Sequence, residues 1–456
     1  FILVKMGGRN IPRRKGQSIL IVIGLMLSSA IIATSLGIGD TVRHSVRSVA
    51  LDFLGPTDEI IEGPGKQLYG EEYFDYAEFL RIEDSAVMND EIDQLLPLIE
   101  LNLPVSNELS DLAESNMGIR GIDGGYSDNY DQLRNQENAI VRINDLQRGQ
   151  VYINLSASSL LKLNQGDILS VYTGSGQSDF TVTDILKNGG LAGGGGNPYI
   201  LFSLSELQDL LQREDKITTI LVSNRGDGEE SLQFSDNVMR FLRSQLTNQD
   251  TATALFTLLR GENFPNILAD ESTTLEQDDK ELSKTLERLS ENLSRDKLDD
   301  EFIKDITDYQ TQLMLLGILD GAGLQNEVSE MSSLFPTLTI LKVQDIKNDR
   351  VRLAETVATG VTTIFSIFGS FSIMVGMLLI FLVFVLLAAA RSTELGMARA
   401  VGLKRRDLVQ LFTYEGTIYA FLAAILGTAI GIGLSFGLVF ILQDLIDADD
   451  FAITPY

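Results

Sequence analysis

The sequence predicts an α-helical membrane protein carrying a large extracytoplasmic α+β domain, and three observations lead there. Residues 18–39, 361–390 and 411–442 are apolar runs long enough to cross a bilayer, whose hydrocarbon core of about 30 Å takes roughly 20 helical residues. The polar stretch between the first two runs, residues 40–350, holds most of the acids and reads as short strands mixed with helices. Basic residues gather beside the apolar runs in a pattern that orients them.

Composition supports two environments in one chain. A mean hydropathy of +0.11 stands beside 22% charged residues, which reads as a mixture of apolar and polar segments averaged over 456 residues. Cysteine is absent and His44 is the single histidine, which leaves no disulfide framework, no thiolate metal site and no zinc centre. A net charge of −27 argues against a nucleic-acid partner. The chain starts at Phe1 and stops at "FAITPY" soon after an apolar run, so a longer polypeptide is expected.

Charge sets the topology. Lys5, Arg9, Arg13, Arg14 and Lys15 precede the first run, and Arg391, Arg399, Lys404, Arg405 and Arg406 lie between the second and third. The positive-inside bias puts both clusters in the cytoplasm. Residues 1–17 are then a cytoplasmic basic amphipathic lead, 40–350 an external domain, and 443–456 an external loop bearing Asp444, Asp447, Asp449 and Asp450. The first run is too long for a signal peptide and is read as a retained anchor. The chain is thus expected in the cell membrane, multi-pass, with its large domain outside.

Within the outer region, "AIVRI", "QVYIN", "GDILSVYT", "DFTVTDIL", "YILFS" and "ITTILVS" read as strands between residues 139 and 224. The segment "SASSLLKLNQGD" is expected to be a helix with Leu160, Leu161 and Leu163 packing down before Gly166 ends it. In "SLSELQDLLQ", Ser203 and Glu206 form a capping box ahead of Leu207, Leu210 and Leu211. The glycine tract at 188–198 lacks the Lys-Ser/Thr ending of a phosphate loop and is expected to be a flexible surface loop. "DGGYSDNYD" at 123–131 lacks calcium-loop spacing and reads as a solvated loop. "RGD" at 225–227 is short enough for chance. No nucleophile–base–acid set is visible, so the chain is expected to have no catalytic residues and no metal site.

Residues 255–333 turn charged and helical, with Leu282, Leu286, Leu289 and Leu293 along one face. Such a stripe packs against the host domain or a neighbouring helix more often than it forms a self-associating coiled coil. The stretch "LTILKVQDIKNDRVRLAET" offers a strand followed by a helix running on into the second span, a stalk through residues 351–391.

The segment "RSTELGMARAVGLKRRD" carries five basic residues against two acids. Leu395, Ala398 and Val401 recur at helical spacing, Gly402 breaks the pattern, and Lys404, Arg405 and Arg406 lead into a new amphipathic turn. One reading is a connector whose charge fixes topology; the other is a rigid cytoplasmic docking element.

The run "RSTELGMARAVGLKRRDLVQLFTYEG" resembles the signature of the FtsX-like permease family of ABC transporters, the type that includes lipoprotein-release and macrolide-efflux systems. Arg391, Glu394, Gly396, Arg399, Ala400, Gly402, Glu415 and Gly416 match it position by position. The opening "GGRNIPRRKGQSILIVIGLMLSSAIIATSLGIGD" and the central "VYINLSASSLLKLNQGDILSVY" are also similar to that family. The resemblance implies a four-span unit of which three spans are visible here. It implies that residues 392–410 form a coupling segment, with Arg391, Glu394, Gly396, Arg399, Ala400, Gly402, Lys404, Arg405 and Arg406 docking a cytoplasmic ABC ATPase subunit. ATP and Mg belong to that partner, since no Walker motif lies in this chain. It further implies a second permease copy or homologous half, an outer partner protein or cargo, and force transmission without catalysis by this chain.

In the third span Gly427, Gly431, Gly433 and Gly437 form two small-xxx-small pairs, for packing within the protomer or for a dimer contact. Glu415 sits near the cytoplasmic end of that span, where it could meet an interface or Arg391, or relay protons. The alternative function is a membrane-anchored binding or signalling protein that works without ATP.

Overall fold

A computed structural model describes residues 19, 22–34, 51, 54–63, 73–194, 196–261, 264–275, 280–339, 341–390, 392–400 and 404–445. Contacts divide the chain into two units, residues 51–349 and residues 1–50 with 350–456. The chain order begins in the second of these with the short apolar helix α1 (Val22–Thr34).

The 51–349 unit starts with strands β1 (Glu59–Glu62) and β2 (Phe74–Asp75), helix α2 (Tyr76–Ala86), and the long strands β3 (Ile92–Asn107) and β4 (Leu112–Ile122). Helix α3 (Gly124–Tyr130), strand β5 (Gln150–Asn154), helix α4 (Leu155–Leu161), strands β6 (Ile168–Thr173), β7 (Gly176–Leu186) and β8 (Tyr199–Ser203), and helix α5 (Leu204–Leu211) follow. Strands β9 (Lys216–Ile217) and β10 (Thr219–Asn224) and helix α6 (Ser235–Leu246) complete this portion.

The helical portion then runs α7 (Gln249–Leu259), α8 (Phe264–Leu275), α9 (Lys280–Ser294), α10 (Asp300–Thr307), α11 (Tyr309–Gly321) and α12 (Gln325–Leu338). Strand β11 (Lys342–Asp345) returns to the sheet, and the chain ends in α13 (Ile346–Ala390), α14 (Ser392–Ala400) and α15 (Arg405–Leu445).

One sheet organises the domain, in the order β11-β1-β10-β3-β4-β8-β5-β7-β6, with β6 also pairing β3 through Val105 and Ser106. Strand β3 therefore serves twice. Its first half pairs β10, and its second half closes β4, β8, β5, β7 and β6 into a ring. The register shift between Leu103 and Val105 falls at Pro104, a residue with no N–H to give to a ladder and therefore suited to a bulge.

Both faces of the sheet are covered, which explains its nearly continuous apolar strands. Ile200 and Phe202 of β8 join one core with Phe79, Ile82 and Val182, while the intervening Leu201 joins another with Leu96, Ile122 and Tyr130. The helices of 249–338 surround a third core of their own, built on Leu255, Phe256, Leu286, Leu289, Phe302 and Phe335. The helical portion leaves and rejoins the sheet at one point, where Thr247 bridges Thr339 and Asn248 N–H donates to Leu338 O at 2.8 Å.

Several readings need correction. "AIVRI" is not a strand: Ile140 makes an isolated bridge to Arg134, and Ile143 begins a single 3₁₀ turn. Helix α4 stops at Leu161, where Lys162 takes a left-handed conformation (φ 52°), so Gly166 lies in the following turn and Leu160 is exposed. "DGGYSDNYD" is helix α3, capped by Asp123 and burying Ser127 and Tyr130.

The glycine tract is a buried plug. Leu191 and Ala192 enter the core, Arg120 Nη1 donates to Gly190 O and Leu191 O at 3.1 and 3.0 Å, and Asn154 Nδ2 reaches Ala192 O and Asn197 O. Its N–H groups at Gly189, Leu191, Ala192 and Gly193 are spent on protein acceptors, Leu191 on the Asp131 carboxylate, which suits no phosphate.

Other readings hold. Ser203 Oγ accepts from Glu206 N–H at 3.4 Å as the N-cap of α5, although Glu206 turns its own carboxylate to Gly149 N–H. The leucine stripe of α9 packs inside the helical core through Leu286, Leu289 and Leu293. Strand β11 passes directly into α13.

Two described helical stretches, Ile346–Leu378 and Gly416–Gly437, are long and apolar enough to cross a membrane. The described part of the first expected span, α1, is shorter, and the basic lead and the acidic residues 447–450 lie outside the described residues.

Candidate functional site

The expected coupling segment forms a short helix between two long ones. Helix α14 carries Glu394, Gly396, Arg399 and Ala400, with Gly396 and Ala400 exposed. Lys404 is exposed and non-helical, and α15 begins at Arg405, with Arg406 exposed on its first turn. Arg391 and Gly402 lie outside the described residues. Glu415 is a helical residue of α15.

The four glycines of the third run separate into two pairs with different surroundings. Gly416, Tyr419, Ala423, Gly427, Gly431 and Ser435 form the buried stripe of α15 at spacings of three and four, the geometry of one helix face. A Cβ added to Gly427 would sit 2.5 Å from Met26 O, and one on Gly431 would sit 2.6 Å from Ala30 O. The backbones of α15 and α1 therefore touch, as small residues allow. Thr34 Oγ1 joins them further, donating within 2.8 Å of Ala30 O and 3.0 Å of Gly431 O. A Cβ added to Gly433 or Gly437 would meet nothing within 4 Å among the described residues.

Sequence reading missed the third member of this packing. A Cβ on Gly376 of α13 would fall 2.9 Å from Ser28 Oγ, so α1 is held by α13 through Ser28 and by α15 through Met26, Ser29, Ala30 and Ala33. The signal was present in the small-residue run "SSA" of α1.

A second missed cluster lies in the 51–349 unit, where β11 hands over to the first turn of α13. Lys347 Nζ pairs with Asp58 Oδ1 at 2.8 Å, both side chains fully buried. Asp58 also accepts from Ser231 Oγ at 2.5 Å and from Asn224 N–H at 2.7 Å. Both oxygens of the Asp58 carboxylate are thus met by donors, two on Oδ1 and one on Oδ2, as a buried carboxylate requires. Beside it, Glu59 Oε1 accepts from Asn224 Nδ2 at 2.7 Å. Burial pushes the Glu59 carboxyl up to about 8, with repulsion from Asp58 and Asp345 adding to it. Asp345 is also raised, chiefly by burial. These residues are scattered over positions 58–347, and no local spacing could have joined them.

Among the described residues no group of three or more His, Asp or Glu side chains is placed to hold a metal ion. A cleft of about 360 Å³ lined by Gly55, Asp128, Tyr130, Asp131 and Asp227 opens on this unit.

Comparison with known proteins bears on the membrane part. The model of the FtsX-like permease C-terminal domain matches residues 366–453. No curated protein matches by sequence. Among solved structures, the extracellular domain of the noncanonic ABC-type transporter YknZ from Gram-positive bacteria is 16% identical, with 37% of this chain and 84% of that one covered and a TM-score of 0.27. The periplasmic region of MacB from Actinobacillus actinomycetemcomitans is 12% identical, with 41% and 84% covered and a TM-score of 0.29. At those scores neither likeness fixes the fold of the 51–349 unit. The family match falls on the end of α13, on α14 and on α15, so it is residues 366–453, about a fifth of the chain, that are similar to the C-terminal domain of FtsX-like permeases.

Proposed function

We propose that this chain is the transmembrane permease subunit of an ABC-type transporter, and that a separate subunit binds and hydrolyses ATP with Mg to drive it. The observation that carries the reading is the family match across α14, a short helix with exposed positions set between two helices of membrane-spanning character. Its flanking basic residues favour the cytoplasmic side, where an ATPase would dock on Arg391, Glu394, Gly396, Arg399, Ala400, Gly402, Lys404, Arg405 and Arg406.

In this reading the 51–349 unit lies outside the cytoplasm. ATP-driven movement of α14 would pass along α13, which follows β11 without a break in the chain, and reshape that unit. The work done would be export or extraction of a lipid, lipoprotein, peptide or drug. A second copy or a homologous half would supply the other docking surface.

The test is co-purification. The protein is expressed with its candidate ATPase, solubilised gently, purified on the permease and assayed for a stoichiometric subunit with ATPase activity. An active partner supports the reading; clean permease from membranes that contain the ATPase overturns it in favour of an anchored binding protein.

A further inference from the structure

Two buried polar atoms at the start of the sheet lack a hydrogen-bond partner, and they belong to residues already bonded to each other. Glu59 Oε2 and Asn224 Oδ1 are both orphaned, while Glu59 Oε1 accepts from Asn224 Nδ2 at 2.7 Å. Both side chains are fully buried. An orphaned acceptor in such a place costs about 1–3 kcal/mol, more if charged, and two on one contacting pair are not a random defect.

A single proton satisfies both. A carboxylic acid has one O–H donor and one carbonyl acceptor; a primary amide offers the complementary N–H donor and carbonyl acceptor. We propose that Glu59 is held as a neutral carboxylic acid in the folded protein, its Oε2–H donating to Asn224 Oδ1 while its Oε1 accepts from Asn224 Nδ2–H. The pair is then a closed acid–amide ring and a buried proton-binding site.

The surroundings favour the neutral form. Asp58 precedes Glu59 on the chain, and Asp345 faces it from β11 as its paired residue. The ammonium of Lys347, on the first turn of α13, is engaged with Asp58 and Ser231 rather than with Glu59. From α6, the Ser235 hydroxyl lies near enough to Glu59 to oppose the upward shift, and Arg243 senses Asp345 and Asp236. From β10, across the pairing of Glu59 with Val222, comes only the neutral Asn224. The carboxyl thus meets two carboxylates, one amide and one hydroxyl, and its burial adds to the cost of charge.

Losing the proton would set an unpaired charge in a wall shared by β1, β10 and β11, next to the residue that ties down the first turn of α13. The junction is therefore a pH-responsive clamp. This inference stands independently of the transport reading, because its test needs neither ATPase nor cargo.

Denaturant unfolding of the full chain in detergent, wild type against Glu59→Gln, reads the proton directly. Glutamine reproduces both bonds of the ring without titrating. The folded-state value lies above the ordinary carboxylate value, so the wild type's folding constant, relative to that of Glu59→Gln, falls about tenfold per pH unit from pH 4.5 to about 8 and levels above it. A Glu59→Gln protein that is less stable than wild type by a ratio independent of pH, or that does not fold at pH 7, overturns the proposal. Infrared spectroscopy of the wild type supplies a check that needs no variant: a carboxylic-acid carbonyl band present at pH 6 should vanish between pH 7 and 9. A spectrum unchanged over that range overturns it equally.

Discussion

Lys347 Nζ lies 2.8 Å from Asp58 Oδ1, and the two side chains expose 1% and 0% of their surface. The same two residues also meet through the backbone, Lys347 N–H donating to Asp58 O at 3.0 Å. The first turn of α13 is thereby fastened to the start of β1 twice, across almost the whole length of the domain's sequence.

Removing one ion of this pair strands the other. Lys347→Met should cost about 3–5 kcal/mol, because Asp58 keeps Ser231 and the Asn224 N–H but loses its counter-charge. The double variant Lys347→Met/Asp58→Asn should cost less than the sum of its singles, by a coupling of about 1–3 kcal/mol. A double-mutant cycle by urea unfolding measures this, and additive losses would refute the coupling.

The glycines of α15 should behave in pairs. Gly427→Ala and Gly431→Ala push a methyl into the backbone of α1 and should each destabilise the 1–50 and 350–456 unit by about 1–3 kcal/mol or more. Gly433→Ala, with open space around it, should be neutral or slightly stabilising through helix propensity of up to about 1 kcal/mol. Thermal unfolding in detergent ranks them, and equal losses at 427 and 433 would contradict the packing.

Arg120 holds the glycine tract down while pairing with Glu100 at 3.2 Å and lying over the Tyr199 ring at 4.4 Å. Arg120→Met takes one donor from Gly190 O, Leu191 O and the Glu100 carboxylate, although Gly190 O keeps the Gly193 N–H and Glu100 keeps the Tyr199 hydroxyl, a loss of about 1–3 kcal/mol. Amide exchange at residues 188–198 should accelerate before that of β3 or β8; protection unchanged there would mean that the plug is held by its apolar residues alone.

In the helical portion, Leu289→Ala empties a fully buried site and should cost about 2–5 kcal/mol. Since residues 249–338 have their own core and join the sheet portion where Thr247 bridges Thr339, with Arg240 and Asp300 a further contact, exchange should rise across those helices while the sheet stays protected. Uniform loss of protection would show that the two cores unfold together.

Arg399→Glu and Glu394→Lys test docking. If α14 seats an ATPase, either reversal should lower permease-stimulated ATP hydrolysis about tenfold or more, the price of turning a favourable interfacial charge into a like-charge contact. Membrane insertion should be unaffected. Full stimulation in a correctly inserted variant would remove the docking assignment.

Much of this architecture was legible because its signals are local. Helix α9 announced itself by leucines at turns of one face, α5 by the Ser203 cap, and the strands from β5 to β10 by branched runs between turn residues. Strand β3 was not legible: Pro97 and Pro104 sit inside it, and proline in isolation argues against a central strand. Only its partners reveal that Pro104 occupies a bulge. The glycine tract misled for the opposite reason. Its composition favours mobility, but Arg120, Asp131 and Asn154 arrive from distant segments to spend its backbone groups.

The sequence by itself determined what each stretch is made for: apolar helices for a membrane, a basic short helix between two of them, and a separate polar domain, because hydrophobic period, charge sign and turn chemistry act over a few neighbouring residues. Tertiary structure alone decided which glycines are contacts and which are open, and it alone brought Asp58, Glu59, Asn224, Ser231 and Lys347 together. Those outcomes depend on how β1, β10, α13 and their neighbours are laid side by side. The desolvation that pairs a lysine with an aspartate, or keeps a glutamate neutral, begins only when distant segments close around it.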